Sequence, residues 1–192
     1  MTEIRQLTTY AQKESFRAML LDADPCWEMV LNYLGGDMYV LYYNGQPAAE
    51  AVVFYREDFG MPELKNISVL PHFRRRGLAQ HLISHLQSLY SAQAQAMCVG
   101  TSTVSDGALR LYISCGFSPW FVEQNFFTRN YPEPIFEEDV VNALICSICV
   151  ATYPMSCKLQ NVYRLSSSIF KKAPIEEVLS PKPGYKKKHC KL

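Results

Sequence analysis

The stretch VLPHFRRRGLA, residues Val69–Ala79, decides the fold of this chain. Before it, Glu63–Leu70 alternates apolar and polar side chains, which predicts a strand that ends at Pro71. After it, Arg76–Tyr90 carries a leucine stripe at helical spacing, which predicts a helix. The stretch is therefore the junction between a strand and a helix, and three arginines occupy its turn.

This junction has the properties of an anion site. The first amides of a helix have no intrahelical partner and lie at the positive end of the helix dipole. Gly77 lets a phosphate approach the backbone closely, and Ala79 keeps the next position small. The junction predicts a pyrophosphate cradle, although a helix start behind a solvated basic turn has the same spacing. The cradle residues are Arg74, Arg75, Arg76, Gly77, Leu78 and Ala79.

Further helices and strands are predicted on both sides of the junction. Those before it are the helix Thr8–Leu21, a helix from Pro25 to Leu34, and the strands Met38–Tyr43 and Ala48–Arg56 around the turn Asn44-Gly45. Those after it are the strand Ala96–Gly100, the helix Asp106–Ser114 and the strand Trp120–Thr128. Because helices interleave with strands in the second half and a hairpin lies in the first, the order predicts an α/β chain of mixed α+β type, with a mixed sheet flanked by helices.

Three motifs in this order resemble the GNAT family of N-acetyltransferases. They are Arg74-x-x-Gly77-x-Ala79, similar to the family's acyl-CoA loop, Glu63–Val69, similar to its fourth strand, and Ala108–Phe117, similar to a helix that ends in Tyr-x-x-x-Gly-Phe. Phe126–Glu137 also looks like a segment of a bacterial-type branch, so the resemblance covers roughly Thr8–Glu138. It implies the GNAT fold, with a central sheet of about six or seven mostly antiparallel strands. It also implies transfer of an acetyl group from acetyl-CoA to a primary amine.

The resemblance further implies how acetyl-CoA binds. The pantetheine arm would pair with the fourth strand at Ile67–Leu70, and an amide near Val69 or Leu70 would stabilise the oxyanion. The pyrophosphate would lie on the amides of the cradle. Thr103 takes the place where relatives often carry an asparagine that contacts the arm, so a threonine hydrogen bond is expected there instead.

Tyr112 occupies the family's general-acid position, within the helix Asp106–Ser114. It would protonate the departing CoA thiolate, because a phenol with a pKa of about 10 is protonated at neutral pH. A tyrosine that only packs in the core is the alternative, since Ala108 and Cys115 share its helical spacing.

Glu63 is the first candidate for the base that takes the proton of the amine. The family often carries a carboxylate at this start of the fourth strand, and a solvated glutamate at a strand end is the alternative. Glu50, in the preceding strand, is a weaker candidate. Asn66 could orient a water molecule but cannot act as a base.

Charge is distributed unevenly along the 192 residues. The net charge of +1 disfavours a generic polyanion binder. Residues 1–170 hold 12 Lys and Arg against 16 Asp and Glu, whereas residues 171–192 hold 7 Lys against 2 Glu. Two prolines also lie beyond residue 180. The sequence therefore predicts an acetyltransferase domain over residues 1–166 and a basic, poorly ordered tail over residues 167–192.

The last strand of this domain has two candidates. Asn142–Thr152 is continuously apolar and β-rich, whereas Lys158–Leu165 looks more like the family's final strand. If the second segment forms the strand, residues 140–156 are an insertion, and an apolar insertion must be buried or bind a partner. The segment Val140–Val150 would also suit the interface of a homo-oligomer.

Cysteine usage favours a cytoplasmic protein. The seven cysteines are irregularly spaced, and no secretory signal opens the chain. Cys146-x-x-Cys149 lacks the second pair of a zinc module, and the longest apolar run is too short to span a membrane. We therefore expect acetyl-CoA as the co-substrate, no metal, no membrane and no nucleic-acid partner.

Two classes of function remain open at this point. One is an acetyltransferase that acts by direct transfer in a ternary complex, because no cysteine stands in a nucleophile arrangement with a histidine. Its acceptor, an amine on a small molecule or a protein, is not determined by the sequence. The other is a GNAT-like module that binds acetyl-CoA without transfer, as a sensor or interaction domain. The intact loop and Tyr112 argue against this module, and the altered C-terminal region argues for it.

Overall fold

The computed structural model describes residues 1–133, 135–137, 140–141 and 145–152. The helices are α1 Tyr10–Glu14, α2 Arg17–Ala23, α3 Trp27–Tyr33, α4 Leu78–Tyr90, α5 Asp106–Ser114 and α6 Phe126–Asn130, with a 3₁₀ turn at Pro71–Phe73. The strands are β1 Thr2–Leu7, β2 Asp37–Tyr43, β3 Gln46–Arg56, β4 Met61–Val69, β5 Ala96–Ser102, β6 Ser118–Gln124, β7 Phe136–Glu137, β8 Val140–Val141 and β9 Ile145–Thr152.

Seven of these strands form one sheet in the order β1-β2-β3-β4-β5-β9-β6, and β7 pairs with β8. Neighbouring strands of the large sheet are antiparallel except β4 and β5, which are parallel. The predicted fold, a mixed and mostly antiparallel sheet flanked by helices, is confirmed. Among the described residues, none of the helices combines the length and the apolarity that crossing a membrane requires.

Helices cover both faces of the sheet. Ala51 and Val52 are neighbours in β3 but belong to different apolar clusters, because successive side chains of a strand point to opposite faces. The cluster of Val52 includes Leu20 of α2 and Val30 of α3, and we call this side the α2–α3 face. The cluster of Ala51 includes residues of α4 and α5, and we call it the α4–α5 face.

The N-terminal region differs from the prediction in two ways. The sequence does not predict β1, because this edge strand carries mostly exposed polar side chains and lacks an apolar stripe. The predicted helix Thr8–Leu21 is two helices, α1 and α2. They separate where the hydroxyl of Ser15 donates to the carbonyl of Gln12 at 2.6 Å, a local bond that competes with the helix ladder.

The predicted strand Trp120–Thr128 ends early. Asn125 has a left-handed backbone, with φ of 57°, which ends the extended conformation, and α6 begins at the next residue. The pattern of apolar residues at 126 and 127 therefore belongs to a helix rather than a strand.

β9 lies inside the sheet, paired with β5 on one side and β6 on the other. Residues 145–152 belong to the first of the two candidates for the last strand, and they form a strand inside the sheet. They are therefore not part of an insertion. Because β9 is paired along both edges, its backbone is not an open edge for a second chain. The second candidate, residues 158–165, and the predicted tail, residues 167–192, lie outside the described residues, so the domain boundaries stay predictions.

Candidate active site

β4 and β5 separate along their length. They share only two registered pairs, at Glu63 and Leu64 of β4. β4 continues to Val69 and is paired there with β3, while β5 is paired along its whole length with β9 on its other edge. Within the described chain, the edge of β4 from Lys65 to Val69 therefore faces an opening, which we call the β4–β5 gap.

The alternation of the strand decides which backbone groups face this gap. The amide of Leu70 donates to the carbonyl of Ala48 in β3, at 2.9 Å. Because neighbouring residues of a strand direct their backbone groups to opposite edges, those of Ile67 and Val69 point toward the gap. Of the two predicted oxyanion donors, Val69 thus has the amide that faces the gap. The amide of Leu70 is engaged within the sheet, which corrects the prediction that either could serve.

The backbone of the turn after β4 is left-handed at two positions. Arg75 and Gly77 both have a left-handed backbone, with φ of 63° and 74°. Successive amides in turns of this kind form a concave site for anions. α4 begins at Leu78, and the amide of His81 makes the bond to the Gly77 carbonyl, at 2.9 Å, that starts the helix ladder. The preceding amides of the first turn therefore have no intrahelical acceptor.

The three arginines of this turn have different surroundings. Arg74 donates from Nε to the carbonyl of Val69 at 2.9 Å and from Nη2 to the Asp22 carboxylate at 2.8 and 3.1 Å. Arg76 lies over the rings of two aromatic neighbours, and Arg75 is exposed. Arg74 thus fastens the turn to α2 and β4, which agrees with a cradle that consists mainly of backbone amides.

Tyr112 lies on the α4–α5 face. Its side chain is 7% exposed and packs edge-on against Phe117, with the ring centroids 5.9 Å apart. It belongs to the apolar cluster against which Ile67 and Val69 also pack. Tyr112 therefore lies on the same face of the sheet as the side chains of Ile67 and Val69.

Thr103 lies in the turn between β5 and α5 and is half-buried. It directly follows the end of β5 that has diverged from β4. This placement fits the predicted contact with an arm in the gap, and the contact itself stays a prediction.

Glu63 is surrounded by positive charge and is 3% exposed. Its Oε2 accepts from Arg56 at 3.1 Å, and its Oε1 accepts from Lys65 at 3.4 Å. Both oxygens of the first candidate base are therefore engaged with cations. Its role in proton transfer stays a prediction.

Comparison with known proteins agrees with this geometry. The family model described as an Acetyltransferase (GNAT) domain matches residues 35–119. The uncharacterized N-acetyltransferase YvbK of Bacillus subtilis (strain 168) is 30% identical over 137 residues, which are 70% of this chain and 85% of that protein. The chain belongs to the GNAT family of N-acetyltransferases. The resemblance noted in the sequence is thereby confirmed.

Solved GNAT structures share the fold of this chain. A GNAT family acetyltransferase from Elizabethkingia anophelis with acetyl-CoA bound has a TM-score of 0.72 and 29% identity, over 79% of this chain and 98% of that chain. An acetyltransferase of Bacillus subtilis in complex with CoA has a TM-score of 0.68 and 24% identity, over 80% of this chain and 98% of that chain. This protein is therefore an N-acetyltransferase, and it shares its fold with a GNAT acetyltransferase whose structure contains acetyl-CoA.

A buried polar network crosses the α2–α3 face of the GNAT domain. The hydroxyl of Tyr33 donates to the Asp24 carboxylate at 3.0 Å and accepts from the side-chain amide of Asn66 at 2.9 Å. That amide also donates to the carbonyl of Leu20 at 3.0 Å. Burial raises the pKa of Tyr33 above its usual range, and it raises the pKa of Asp24 as well, against hydrogen bonds that lower it. The network fixes the orientation of the Asn66 side chain.

Glu50 is fully buried on the same face of the GNAT sheet. It lies opposite Ser68 in the β3–β4 register. Burial raises the pKa of the Glu50 carboxyl to about 8, and the hydroxyl and amide of Ser68 oppose this rise. Neither carboxyl oxygen makes a hydrogen bond of good geometry within the described residues. Of the two candidate bases from the sequence, Glu63 is paired with cations, whereas Glu50, the weaker candidate, makes no ion pair among the described residues.

The sequence analysis missed Asp24, Tyr33 and Ser68. A signal was present, because β4 is apolar at Ile67 but polar on both sides of it, at positions 66 and 68. Polar side chains at alternating positions of a buried strand share one face and require partners there. Among the described residues, no group of three or more His, Cys, Asp or Glu side chains could hold a metal ion.

Proposed function

We propose that this protein transfers the acetyl group of acetyl-CoA directly to a primary amine, in a ternary complex of enzyme, donor and amine. The observation that carries the proposal is the β4–β5 gap, in which the edge of β4 leads to the left-handed turn before α4. An extended amide-bearing arm fits the edge of a strand, and a pyrophosphate fits the start of a helix.

The residues that would hold the donor follow from this geometry. Ile67 and Val69 would pair through their backbone groups with the pantetheine arm. Within the cradle Arg74–Ala79, the amides from Arg75 to Ala79 would bind the pyrophosphate, with α4 adding the positive end of its dipole, while the amide of Arg74 donates to the carbonyl of Pro71 at 3.2 Å. Thr103 would hydrogen-bond the arm from the β5 side.

Two groups would act on the reacting thioester. The amide of Val69 would stabilise the negative charge that develops on the carbonyl oxygen when the amine attacks. Tyr112 would donate its phenolic proton to the sulfur as the carbon–sulfur bond breaks. The positions of the Val69 amide on the gap edge of β4, and of Tyr112 on the face against which Val69 packs, support these roles.

The acceptor is proposed only as a class. It carries a primary amine, on a small molecule or a protein, and it must lose a proton during the reaction because the product is an amide. Glu63 remains the first sequence-based candidate for receiving that proton. A cytoplasmic location, the absence of a nucleic-acid partner and the oligomeric state likewise stay predictions.

Isothermal titration of the full chain with acetyl-CoA tests the donor site, with Gly77→Glu as the control. We expect the wild type to bind and the variant to lose binding, since a carboxylate would stand in the cradle. Release of CoA with a panel of primary amines, namely tyramine, spermidine and an alanyl peptide, then tests transfer. A folded wild type that binds acetyl-CoA but acetylates none of them would favour a module that binds without transfer.

A further inference from the structure

The α2–α3 face holds a cluster of buried oxygens that lack hydrogen-bond donors. The atoms are Oε1 and Oε2 of Glu50, Oδ1 of Asn66 and Oγ of Ser68. Within the described residues none of these atoms makes a hydrogen bond of good geometry, although their side chains are at most 5% exposed, and Ser68 is the group that acts on the Glu50 carboxyl. Buried polar atoms are ordinarily paired, so a carboxyl and a hydroxyl left in this state are candidates for a functional role.

The strand register brings these side chains together. Glu50 of β3 lies opposite Ser68 of β4, and Asn66 lies two residues before Ser68. Directly opposed residues of antiparallel strands have Cβ atoms about 5 Å apart, and residues two apart share a face. The carboxyl and the hydroxyl are therefore neighbours, with the fixed amide oxygen of Asn66 beside them.

The cluster lies on the face of β4 opposite to the one that carries Tyr112. Ser68 and Asn66 belong to the stretch of β4 that has parted from β5. Their side chains lie on the α2–α3 face, whereas Tyr112 lies in the apolar cluster of the α4–α5 face. In acyl transfer the nucleophile approaches and the leaving group departs at different sides of the carbon. A proton acceptor and a proton donor on opposite faces of β4 match this requirement.

Other carboxyls of this face already have firm partners. Glu63 is engaged by two cations, and Asp22 is held by Arg74. Asp24 accepts from Tyr33 and from the amide of Cys26. Glu50 differs from all of these, since neither of its oxygens is hydrogen-bonded within the described residues.

We propose that Glu50, acting through the hydroxyl of Ser68, accepts the proton that the amine loses in the reaction. As the nitrogen of a neutral primary amine bonds to the acetyl carbon, its proton passes to the Ser68 oxygen, and the proton of Ser68 passes to Glu50. The carbon–sulfur bond breaks, and Tyr112 gives the sulfur its proton. Solvent returns the proton of Glu50 to Tyr112 after the products leave. The proposal rests on the function proposed above.

Electrostatics support this role. The pKa of Glu50 is raised to about 8, first by burial and also by the negative charge of Asp22 on α2, which is itself paired with Arg74. The hydroxyl and amide of Ser68 act in the opposite direction. A carboxyl whose pKa lies near the working pH is a better proton acceptor than an ordinary glutamate.

The test compares Glu50→Gln, Ser68→Ala and Ser68→Thr with the wild type, in the full chain and with the best amine of the panel. We expect Glu50→Gln and Ser68→Ala to lower kcat by about 100-fold or more, while the Kd for acetyl-CoA stays unchanged. Ser68→Thr keeps the hydroxyl and should recover most of the rate. In the wild type, kcat/KM should rise with pH toward pH 8. This rising limb of the pH profile should be absent in Glu50→Gln.

Glu57→Gln, an exposed change at the end of β3, is the matched control and should keep the wild-type rate and profile. Glu63→Gln should keep the limb that Glu50→Gln loses. Wild-type kcat and pH profile in Glu50→Gln, or loss of the limb in Glu63→Gln alone, would overturn the role of Glu50. A wild type that releases no CoA with any amine would instead overturn the proposed function. If Glu50→Gln does not fold, an unchanged kcat in Ser68→Ala would overturn the relay.

Discussion

The guanidinium of Arg74 binds both carboxylate oxygens of Asp22, at 2.8 and 3.1 Å, across the turn that follows β4. Its Nε also holds the carbonyl of Val69, the residue whose amide faces the β4–β5 gap. One side chain thus links α2, the end of β4 and the loop that leads into α4. The arginine that matches the family's motif is positioned to shape the site rather than to contact a phosphate.

Arg74→Ala should therefore weaken acetyl-CoA binding much less than Gly77→Glu. The Arg74–Asp22 pair is half exposed, and pairs of this kind are worth about 0–1 kcal/mol, so the Kd should rise less than about fivefold. Gly77→Glu places a carboxylate in the cradle at a position with φ of 74°, and the Kd should rise more than about 100-fold. Arg110→Ala removes another exposed, paired arginine and serves as the charge control. Equal losses in the Arg74 and Gly77 variants would show that the side chain binds the phosphate.

Tyr112→Phe should lower kcat by about 100-fold or more and leave the Kd for acetyl-CoA unchanged, because only the proton donor is removed. An acetyl thioester with a more acidic thiol needs less protonation of its leaving group, so the variant's deficit should shrink with it. Tyr55→Phe, on an exposed tyrosine, controls for loss of a hydroxyl. A deficit that is equally large for both thioesters would show that the hydroxyl of Tyr112 does not protonate the leaving group.

Local signals were sufficient to predict most of the fold. The hairpin at Asn44-Gly45 has φ of 50° and 80°, as its residue types require, and α5 has the predicted bounds. β1 was not predictable from its own residues, because an edge strand with exposed polar side chains lacks the apolar alternation that identifies strands. Its register with β2 depends on tertiary pairing.

The candidate site divides in a similar way. The turn at Arg74–Ala79 was predictable because an anion site depends on local backbone geometry and a short motif. The pairing of Glu50 with Ser68 was not, because it depends on the β3–β4 register, and a bulge at Lys65, opposite Val52 and Val53, changes that register along the strands. The different surroundings of Glu50 and Glu63, which have the same chemistry, likewise arise only from tertiary packing.

Gly36→Ala should destabilise the fold by about 1–3 kcal/mol, because a Cβ there would overlap the backbone carbonyl oxygen of Val53. The carbonyl of Gly36 also accepts from the buried Lys13 at 2.6 Å, so the backbone has little freedom to move away. Gly35→Ala is the matched control, since a Cβ on Gly35 meets nothing within 4 Å. Urea unfolding of the three proteins measures the difference, and equal stability of the two variants would contradict the predicted clash.

Glu50→Gln should make the protein more stable than the wild type at high pH. Burial raises the folded-state pKa of Glu50 from 4.5 to about 8, so between these values the folded chain holds a proton that the unfolded chain has released. Wild-type stability therefore falls as pH rises through this range, by up to about 1.4 kcal/mol per pH unit from this group, and the loss is complete above pH 8. Glutamine does not titrate, so the variant avoids this loss. Urea unfolding at pH 5, 7 and 9 should show a stability difference that grows in favour of Glu50→Gln, whereas parallel curves would mean that Glu50 ionises in the fold as it does in the unfolded chain.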